Sequence, residues 1–236
     1  MKTVIFDVDD TLYDQAMSFH KTFHKVISTN YSYSEIDKIY RLSRKYSEEL
    51  FDKSEAKEIS VRDWQIGRIL YACRDFEIHM DETDALLFHE TYVEEQKKIK
   101  MFDEMRDLLD LLKEKGVQIA ILTNGEESHQ MMKIEQLALS KWISTNNIYV
   151  SGSYGVAKPK LEIFRIVEEK VNCSPESTIY IGDSFEKDII GARKAGWQAI
   201  WFNHRMKKPH LDNEIDSYLE FQKANDIYNW FYDYFS

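Results

Sequence analysis

Cysteine, proline and glycine are all scarce in this sequence of 236 residues, which contains two, three and eight of them. Cys73 and Cys173 lie far apart and belong to no CxxC or Cys/His pattern. The sequence therefore indicates buried, reduced thiols rather than a disulfide framework or a zinc site. No Pro/Gly-rich linker, internal repeat or low-complexity tract is visible along the chain.

Basic residues and long apolar runs are also in short supply. Lysine and arginine number 31 against 41 aspartates and glutamates, and the net charge of -10 disfavours nucleic acid and anionic lipid as partners. No stretch approaches the ~20 apolar residues of a membrane span, and the apolar N-terminal stretch stops at Phe6, far short of a signal peptide. We therefore expect a soluble, cytoplasmic protein, monomeric or homodimeric, that binds neither nucleic acid nor membrane.

Apolar residues make up 43% of the chain, which predicts a packed globule. Five short runs are typical of buried strands: Thr3 to Phe6, Val117 to Leu122, Asn147 to Val150, Thr178 to Ile181 and Gln198 to Phe202. Helical patterns separate or follow them at Phe102 to Lys115, Glu127 to Leu137, Lys160 to Val171 and Asp188 to Ala195. This alternation predicts an α/β fold with a doubly wound, Rossmann-like parallel sheet.

The segment between the first and second predicted strands has a different pattern. It contains no strand-like run, and its apolar residues recur at helical spacing in three stripes, around Phe19 to Ile27, Trp64 to Cys73 and Leu86 to Val93. We predict a helical cap domain at residues 14–97, inserted into an α/β core formed by residues 1–13 and 98–236. Ligands of open parallel sheets bind beyond the carboxyl ends of the strands, so an insertion leaving the first strand is expected to act as a lid.

The loops that follow four of the predicted strands are rich in polar, chemically capable residues. They contain Asp7, Asp9 and Thr11; Thr123, Asn124 and Gly125; Lys158; and Gly182, Asp183 and Asp188. Each loop alone is compatible with ordinary turns and helix caps. Because parallel strands end at one edge of a sheet, however, all four loops are expected to converge there.

These loops resemble the four motifs of the haloacid dehalogenase superfamily in order and spacing. The matching stretches are "DVDDT", "LTN", the lysine of "AKPK" and "GDSFEKD". A DxDxT motif alone is weak, but a strand-terminal DxDxT followed by three further matching loops is specific. The resemblance covers almost all of the predicted core and implies the phosphatase branch of the superfamily, with a helical cap after the first motif.

Two aspartates of the first motif have distinct expected roles. A phosphate monoester is a stable dianion whose cleavage needs a nucleophile and charge neutralisation, and an aspartate such as Asp7 can form an acyl phosphate that water later cleaves. Asp9 is expected to protonate the departing alcohol and then activate water. The superfamily's dehalogenases carry no acid at that position, because a halide leaves without a proton, so Asp9 favours phosphoryl chemistry.

So many carboxylates near one point repel one another unless a cation lies among them, and Mg²⁺ suits carboxylate and carbonyl oxygens. The resemblance implies that Asp7 and Asp183 bind this ion through their carboxylates and Asp9 through its backbone carbonyl. It places Asp188 and Thr11 just behind these ligands.

The phosphate group has its own predicted ligands. The hydroxyl of Thr123 and the N–H groups of Asn124 and Gly125, at a helix start, are expected to donate to phosphate oxygens. Lys158 is expected to add a positive charge and to restrain the nucleophile.

Together these expectations describe a magnesium-dependent phosphatase acting on a small phosphate monoester, a nucleoside 5'-monophosphate or a sugar phosphate, through an aspartyl-phosphate. Two alternatives stay open. A phosphomutase would use the same core but return the phosphoryl group to a reoriented intermediate. A non-catalytic regulatory module would only bind a phosphorylated ligand.

Overall fold

The computed structural model describes residues 2–209 and 217–236. The chain divides into two compact units, one formed by Met1–Asp14 with Lys100–Ser236 and the other by Gln15–Ile99. Among the described residues, no helix combines the length and apolar character needed to traverse a lipid bilayer.

A parallel sheet forms the centre of the larger unit. Within the described residues it has six strands: β1 Thr3–Phe6, β2 Gln118–Thr123, β3 Ile148–Val150, β4 Thr178–Gly182, β5 Gln198–Phe202 and β6 Leu219–Phe221. Their order is β3-β2-β1-β4-β5-β6, and every neighbouring pair is parallel. The prediction of a doubly wound, Rossmann-like sheet is confirmed. The order reverses between β1 and β4, which is where open α/β sheets bind ligands.

Strand β6 was missed by the sequence analysis. It is three residues long, its first two residues are exposed, and it adds to the edge of the sheet beside β5. A short, half-exposed edge strand lacks the apolar run that marks the inner strands. The inner strand β1, by contrast, is buried along its whole length, as expected for a parallel strand covered on both faces.

The unit Gln15–Ile99 is helical throughout its regular structure. Its described helices are α1 Gln15–Val26, α2 Tyr33–Glu55, α3 Val61–Asp75 and α4 Glu82–Gln96. Reciprocal side-chain to backbone capping boxes begin α3, at Ser60 and Asp63, and α4, at Asp81 and Asp84. Helix α2 packs on α3, and α1 packs on α4. The all-helical character predicted for this segment is confirmed.

The three apolar stripes in the sequence of this unit correspond to α1, α3 and α4, and no such stripe marks α2. Ile36 and Ile39 bury the first part of that helix, but farther along the buried positions include Ser43 and Ser47. Because small hydroxyl residues occupy part of the buried face and charged residues surround them, the apolar residues of α2 do not recur at helical spacing along its whole length.

Helices of the larger unit connect and cover the strands. They are α5 Asp103–Glu114, α6 Glu127–Gln136, α7 Leu161–Val171, α8 Ile190–Lys194 and α9 Ala224–Phe235. Short 3-10 turns occur at Leu139–Lys141, Thr145–Asn147, Ser151–Ser153 and Pro175–Ser177. Residues of α7, including Phe164 and Val167, pack in one cluster with Ile5 and Tyr180 of the sheet.

The helix predicted from Asp188 to Ala195 begins differently in the structure. A π-helical turn at Phe185–Ile189 precedes α8. The N–H groups of Asp188 and Ile189 both donate to Ser184 O, at 2.9 and 3.3 Å. This wider turn lies directly after β4 and carries Asp188 into the interior, where its side chain is 1% exposed. π-Turns often occur at functional sites.

Candidate active site

Residues that follow β1, β3 and β4 meet around the ammonium group of Lys158. Its Nζ donates to Asp7 Oδ1 at 2.8 Å, to Asp188 Oδ1 at 2.7 Å and to the Tyr180 hydroxyl at 2.8 Å. The Lys158 side chain is 3% exposed. Burial would lower the pKa of Lys158, but the charges of Asp188 and Asp7 outweigh it and raise that pKa. Lys158 is therefore a permanent buried cation shared by two carboxylates.

The loop after β2 is tied to the Lys158 loop by a reciprocal pair of hydrogen bonds. Asn124 Nδ2 donates to Lys158 O at 2.9 Å, and Lys158 N donates to Asn124 Oδ1 at 2.9 Å. The side chain of Asn124 thus fixes the backbone that carries the lysine. The N–H of Gly125 donates to Ser151 Oγ at 3.0 Å.

Two N–H groups in the first turn of α6 donate hydrogen bonds to a side chain of the same loop. The carboxylate of Glu126 accepts hydrogen bonds from the N–H groups of Ser128 and His129, at 3.0 and 2.8 Å. The sequence predicts that the N–H groups of Asn124 and Gly125 donate to phosphate, whereas in this structure the N–H of Gly125 donates to Ser151 Oγ. Thr123 differs, because its Oγ1 is buried and has no hydrogen-bond partner among the described residues.

Thr11, predicted to lie behind the metal ligands, also has a buried Oγ1 without a hydrogen-bond partner among the described residues. Native proteins rarely leave buried hydroxyls without a partner, because each one costs the free energy of a lost hydrogen bond. Two such hydroxyls, one after β1 and one at the end of β2, are what a site for an oxygen-rich ligand provides.

Asp7, Asp183 and Asp188 form a compact carboxylate group. One oxygen from each lies within 4.8 Å of the others. Burial raises the pKa of Asp7 to about 7, helped by the charges of Asp188, Asp183 and Asp9 and opposed by Lys158. Burial and the charges of Asp10 and Asp188 likewise raise the pKa of Asp183 to about 6, against the effect of Lys207. The group therefore has more negative charge than its lysines neutralise.

Three carboxylates at this separation fit a hard divalent cation such as Mg²⁺, which prefers oxygen ligands and usually keeps several waters. The raised pKa values of Asp7 and Asp183 support this fit, since a cation among the carboxylates would relieve the repulsion. The structure places the carboxylate of Asp188 in the group, although the sequence analysis had put this residue behind the ligands. The carboxylate of Asp9 lies outside the group.

Asp9 is held by a separate set of donors. Lys133 Nζ lies 2.8 Å from both of its carboxylate oxygens, Gln130 Nε2 donates to Oδ2 at 3.0 Å, and the Tyr13 hydroxyl donates to Oδ1. Burial alone would raise the pKa of Asp9, but the charge of Lys133 and these hydrogen bonds lower it below its usual value. In this arrangement Asp9 is a carboxylate.

The turn that contains Asp9 is anchored by the next residue. Asp10 has a left-handed backbone, with φ of 55°, and its carboxylate accepts hydrogen bonds from Arg205 at 2.9 and 2.7 Å. Arg205 also pairs with Asp14. These contacts join the loop after β1 to the loop after β5.

Several of these partners were missed by the sequence analysis. Arg205 and Lys207 lie in the loop after β5, and Lys207 Nζ is 2.5 Å from Asp183 Oδ2. Because parallel strands end at one edge of the sheet, the loop after the predicted strand β5 is expected at the same edge as the other four loops. This expectation could have identified both residues. Gln130 and Lys133 lie three residues apart and therefore share one face of α6. Their spacing gives no sign that this face meets Asp9.

Comparisons with known proteins agree with this geometry. The family model for haloacid dehalogenase-like hydrolases matches residues 1–196. Glyceraldehyde 3-phosphate phosphatase of Methanothermobacter thermautotrophicus is 26% identical over 245 aligned positions, covering 96% of each chain. N-acylneuraminate-9-phosphatase of Mus musculus is 26% identical, covering 93% of this chain and 89% of that protein.

Among solved structures, the HAD-hydrolase YfnB of Bacillus subtilis, bound to magnesium, superposes with a TM-score of 0.72. It is 24% identical and covers 97% of both chains. This likeness shows a shared fold.

Proposed function

The chain belongs to the haloacid dehalogenase-like hydrolases, and from this membership we propose that it is a magnesium-dependent phosphatase that acts through an aspartyl-phosphate on Asp7. The observation that carries the proposal is the buried group around Asp7. Its carboxylate is paired with Lys158 and lies within 4.8 Å of oxygens of Asp183 and Asp188. Such a group combines a nucleophile, a fixed cation and ligands for a metal ion.

In the first step, a carboxylate oxygen of Asp7 attacks phosphorus and the bond from phosphorus to the ester oxygen breaks. Asp9, a carboxylate in the unliganded protein, first binds a proton from solvent, which the negative charge of the bound ester favours. The departing oxygen takes this proton and leaves as an alcohol. In the second step, water gives its proton to Asp9 and its oxygen to phosphorus. The bond between Asp7 and phosphorus then breaks, which releases phosphate and restores both aspartates.

The other residues bind and orient in this scheme. The buried hydroxyl of Thr123 donates to a phosphate oxygen, and Lys158 holds Asp7 in place while offsetting the charge of the phosphoryl group. Asp7, Asp183 and Asp188 supply the carboxylates for Mg²⁺, with the backbone carbonyl of Asp9 as a further ligand. The bound ion supplies charge neutralisation for the dianionic ester. The structure of YfnB, which shares this fold, was solved with bound magnesium, and this favours Mg²⁺ as the ion proposed here.

The substrate proposed is a small phosphate monoester of the sugar-phosphate class. Two relatives that cover most of this chain are named for glyceraldehyde 3-phosphate and N-acylneuraminate 9-phosphate. In both names the phosphate is an ester of a primary alcohol on a carbohydrate-like molecule. Nucleoside 5'-monophosphates share that ester, but neither name refers to a nucleoside, so these two relatives favour sugar phosphates within the class predicted from the sequence.

A phosphatase screen tests the proposal. Purified protein with Mg²⁺ is assayed for phosphate release on a broad set of monoesters, with Asp7→Asn as the blank and the exposed Asp233→Asn as the matched control. We expect Asp7→Asn to lose on the order of a thousandfold in rate and Asp233→Asn to keep full activity.

Each alternative gives a different result in the same screen. An isomeric phosphate ester in place of free phosphate identifies a phosphomutase. No release from any ester, with binding retained, identifies a regulatory module. Undiminished phosphate release by Asp7→Asn contradicts the covalent scheme.

A further inference from the structure

The two side chains of the ion pair between Lys133 and Asp9 differ in their exposure to solvent. Lys133 is 2% exposed, whereas the Asp9 side chain is 21% exposed. The ammonium group is therefore almost inaccessible to solvent, whereas the carboxylate with which it pairs is partly accessible. Within the described residues, Asp9 is the one side-chain partner of the Lys133 ammonium group.

Burying a lysine is costly unless its charge is well paired. Here the pairing is symmetrical, with 2.8 Å from Nζ to each oxygen of Asp9. Contacts from one cation to both oxygens restrain the rotation of the carboxylate more than a contact to a single oxygen would. An ordinary surface ion pair leaves both groups free to rotate.

Gln130 adds a second constraint. Its Nε2 donates both to Asp9 Oδ2 at 3.0 Å and to Asn124 O at 2.9 Å, so one amide joins Asp9 to the loop after β2. Thr123, the proposed phosphate ligand, is the last residue of β2 and directly precedes that loop.

The backbone leaves room for this amide at Gly125. A Cβ there would lie 2.7 Å from Gln130 Nε2, and the glycine has a φ of 150°, which side-chain-bearing residues rarely adopt. The position of the Gln130 side chain therefore depends on a glycine at residue 125.

A single helix thus links two parts of the site. Helix α6 begins after the short loop that follows Thr123, and it presents Gln130 and Lys133 to Asp9. Because α6 is rigid, it fixes the distance between the Asp9 carboxylate and the loop after β2. Proton transfer in catalysis depends on such spacing, since misplacement by about 1 Å costs up to about a hundredfold in rate.

We propose that Lys133 is a positioning residue, which with Gln130 orients the Asp9 carboxyl group for proton transfer to the leaving group of the ester. This inference rests on the proposed phosphatase function. It assigns to α6 a role in selecting among leaving groups, because esters of poor leaving groups need the proton most.

The test compares two kinds of ester. Alkyl phosphates have poor leaving groups, and 4-nitrophenyl phosphate has a good one. We expect Lys133→Met to lower kcat on the alkyl ester by about 10- to 100-fold, with KM little changed, and to lower it less than about threefold on the aryl ester. The exposed Lys160→Met is the matched control and should leave both rates unchanged.

A double variant separates positioning from general damage. If Lys133 acts through Asp9, adding Lys133→Met to Asp9→Asn causes no further loss on either ester. Lys133→Arg, which keeps the charge and the donors, should recover part of the rate on the alkyl ester. If Lys133→Met does not fold, Gln130→Met is measured in its place and should show the same selective loss at smaller size.

The outcomes distinguish this inference from the proposed function. If the wild-type protein releases phosphate from no ester, the proposed function fails and the inference with it. If the wild type is active but Lys133→Met slows both esters equally, or multiplies the loss of Asp9→Asn, the inference alone is overturned. The same holds if Gln130→Met, used as the substitute, slows both esters equally or neither.

Discussion

Replacing Asp183 by asparagine should stabilise the metal-free protein, although it removes a proposed metal ligand. Asp183 is partly buried near Asp7 and Asp188, and its pKa is raised from 3.8 to about 6 by desolvation and by the charges of Asp10 and Asp188. A raised pKa means that the folded protein resists ionising this group. Asparagine has nearly the same shape and no charge.

The size and the sign follow from that pKa. A difference of about two pKa units corresponds to about 3 kcal/mol at pH values above 6, where Asp183 must be ionised in the folded protein. Below pH 3.8 the carboxyl is protonated in both states and costs nothing. The ionisation of Asp183 therefore lowers the stability of the wild type as pH rises from about 4 to 6. Asp183→Asn should gain about 2 to 3 kcal/mol at pH 8 and little at pH 4.

Urea unfolding with a chelator at pH 8 and at pH 4 measures both values. The exposed Asp233→Asn serves as the control and should show no gain at either pH. Added Mg²⁺ should stabilise the wild type at pH 8, since a ligand that binds only the folded state raises its stability, and should do much less for Asp183→Asn. An equal effect of Asp183→Asn at both pH values, or a less stable variant at pH 8, would refute the electrostatic reasoning.

Two further predictions concern the same buried group. Lys158→Met leaves the carboxylates of Asp7 and Asp188 without their shared cation, and should cost about 3 to 5 kcal/mol in urea unfolding at pH 8; a loss below about 1 kcal/mol contradicts this. Gly182→Ala places a Cβ against the Asp188 carboxylate, and should weaken Mg²⁺ binding by about tenfold or more in calorimetry; an unchanged Kd shows that Asp188 does not help to form the metal site.

Local patterns allowed much of the fold to be predicted. Strands β1 to β5 are recognisable in the sequence because buried parallel strands are apolar along their length. The parallel sheet is predicted from the alternation of these strands with helices. Helix α2 and strand β6 were missed for related reasons. Ser43 and Ser47 lie on a buried helix face, and β6 is short and half exposed, so neither element shows its period in the sequence.

Some residues of the candidate site could likewise be predicted from the sequence, and others could not. Asp7, Lys158 and Asp183 are recognisable in the sequence because each follows a strand and matches a motif. Lys133 is 124 residues from Asp9 along the chain, and a lone lysine on a helix is nearly always solvated. No local pattern reveals that it is buried against a particular acid.

By itself, then, the sequence determined which chemical groups lie at the carboxyl edge of the sheet, since strand periodicity and the loops after the strands are local properties. Only the tertiary structure decided which cation pairs with which acid: Lys158 with Asp7 and Asp188, Lys207 with Asp183, and Lys133 with Asp9. These pairings depend on helix packing and on burial, which set the distance and the dielectric between groups far apart in the chain. Burial gives Asp7 a raised pKa in spite of Lys158, whereas the pairing with Lys133 gives Asp9 a lowered one, although only Val8 lies between the two aspartates.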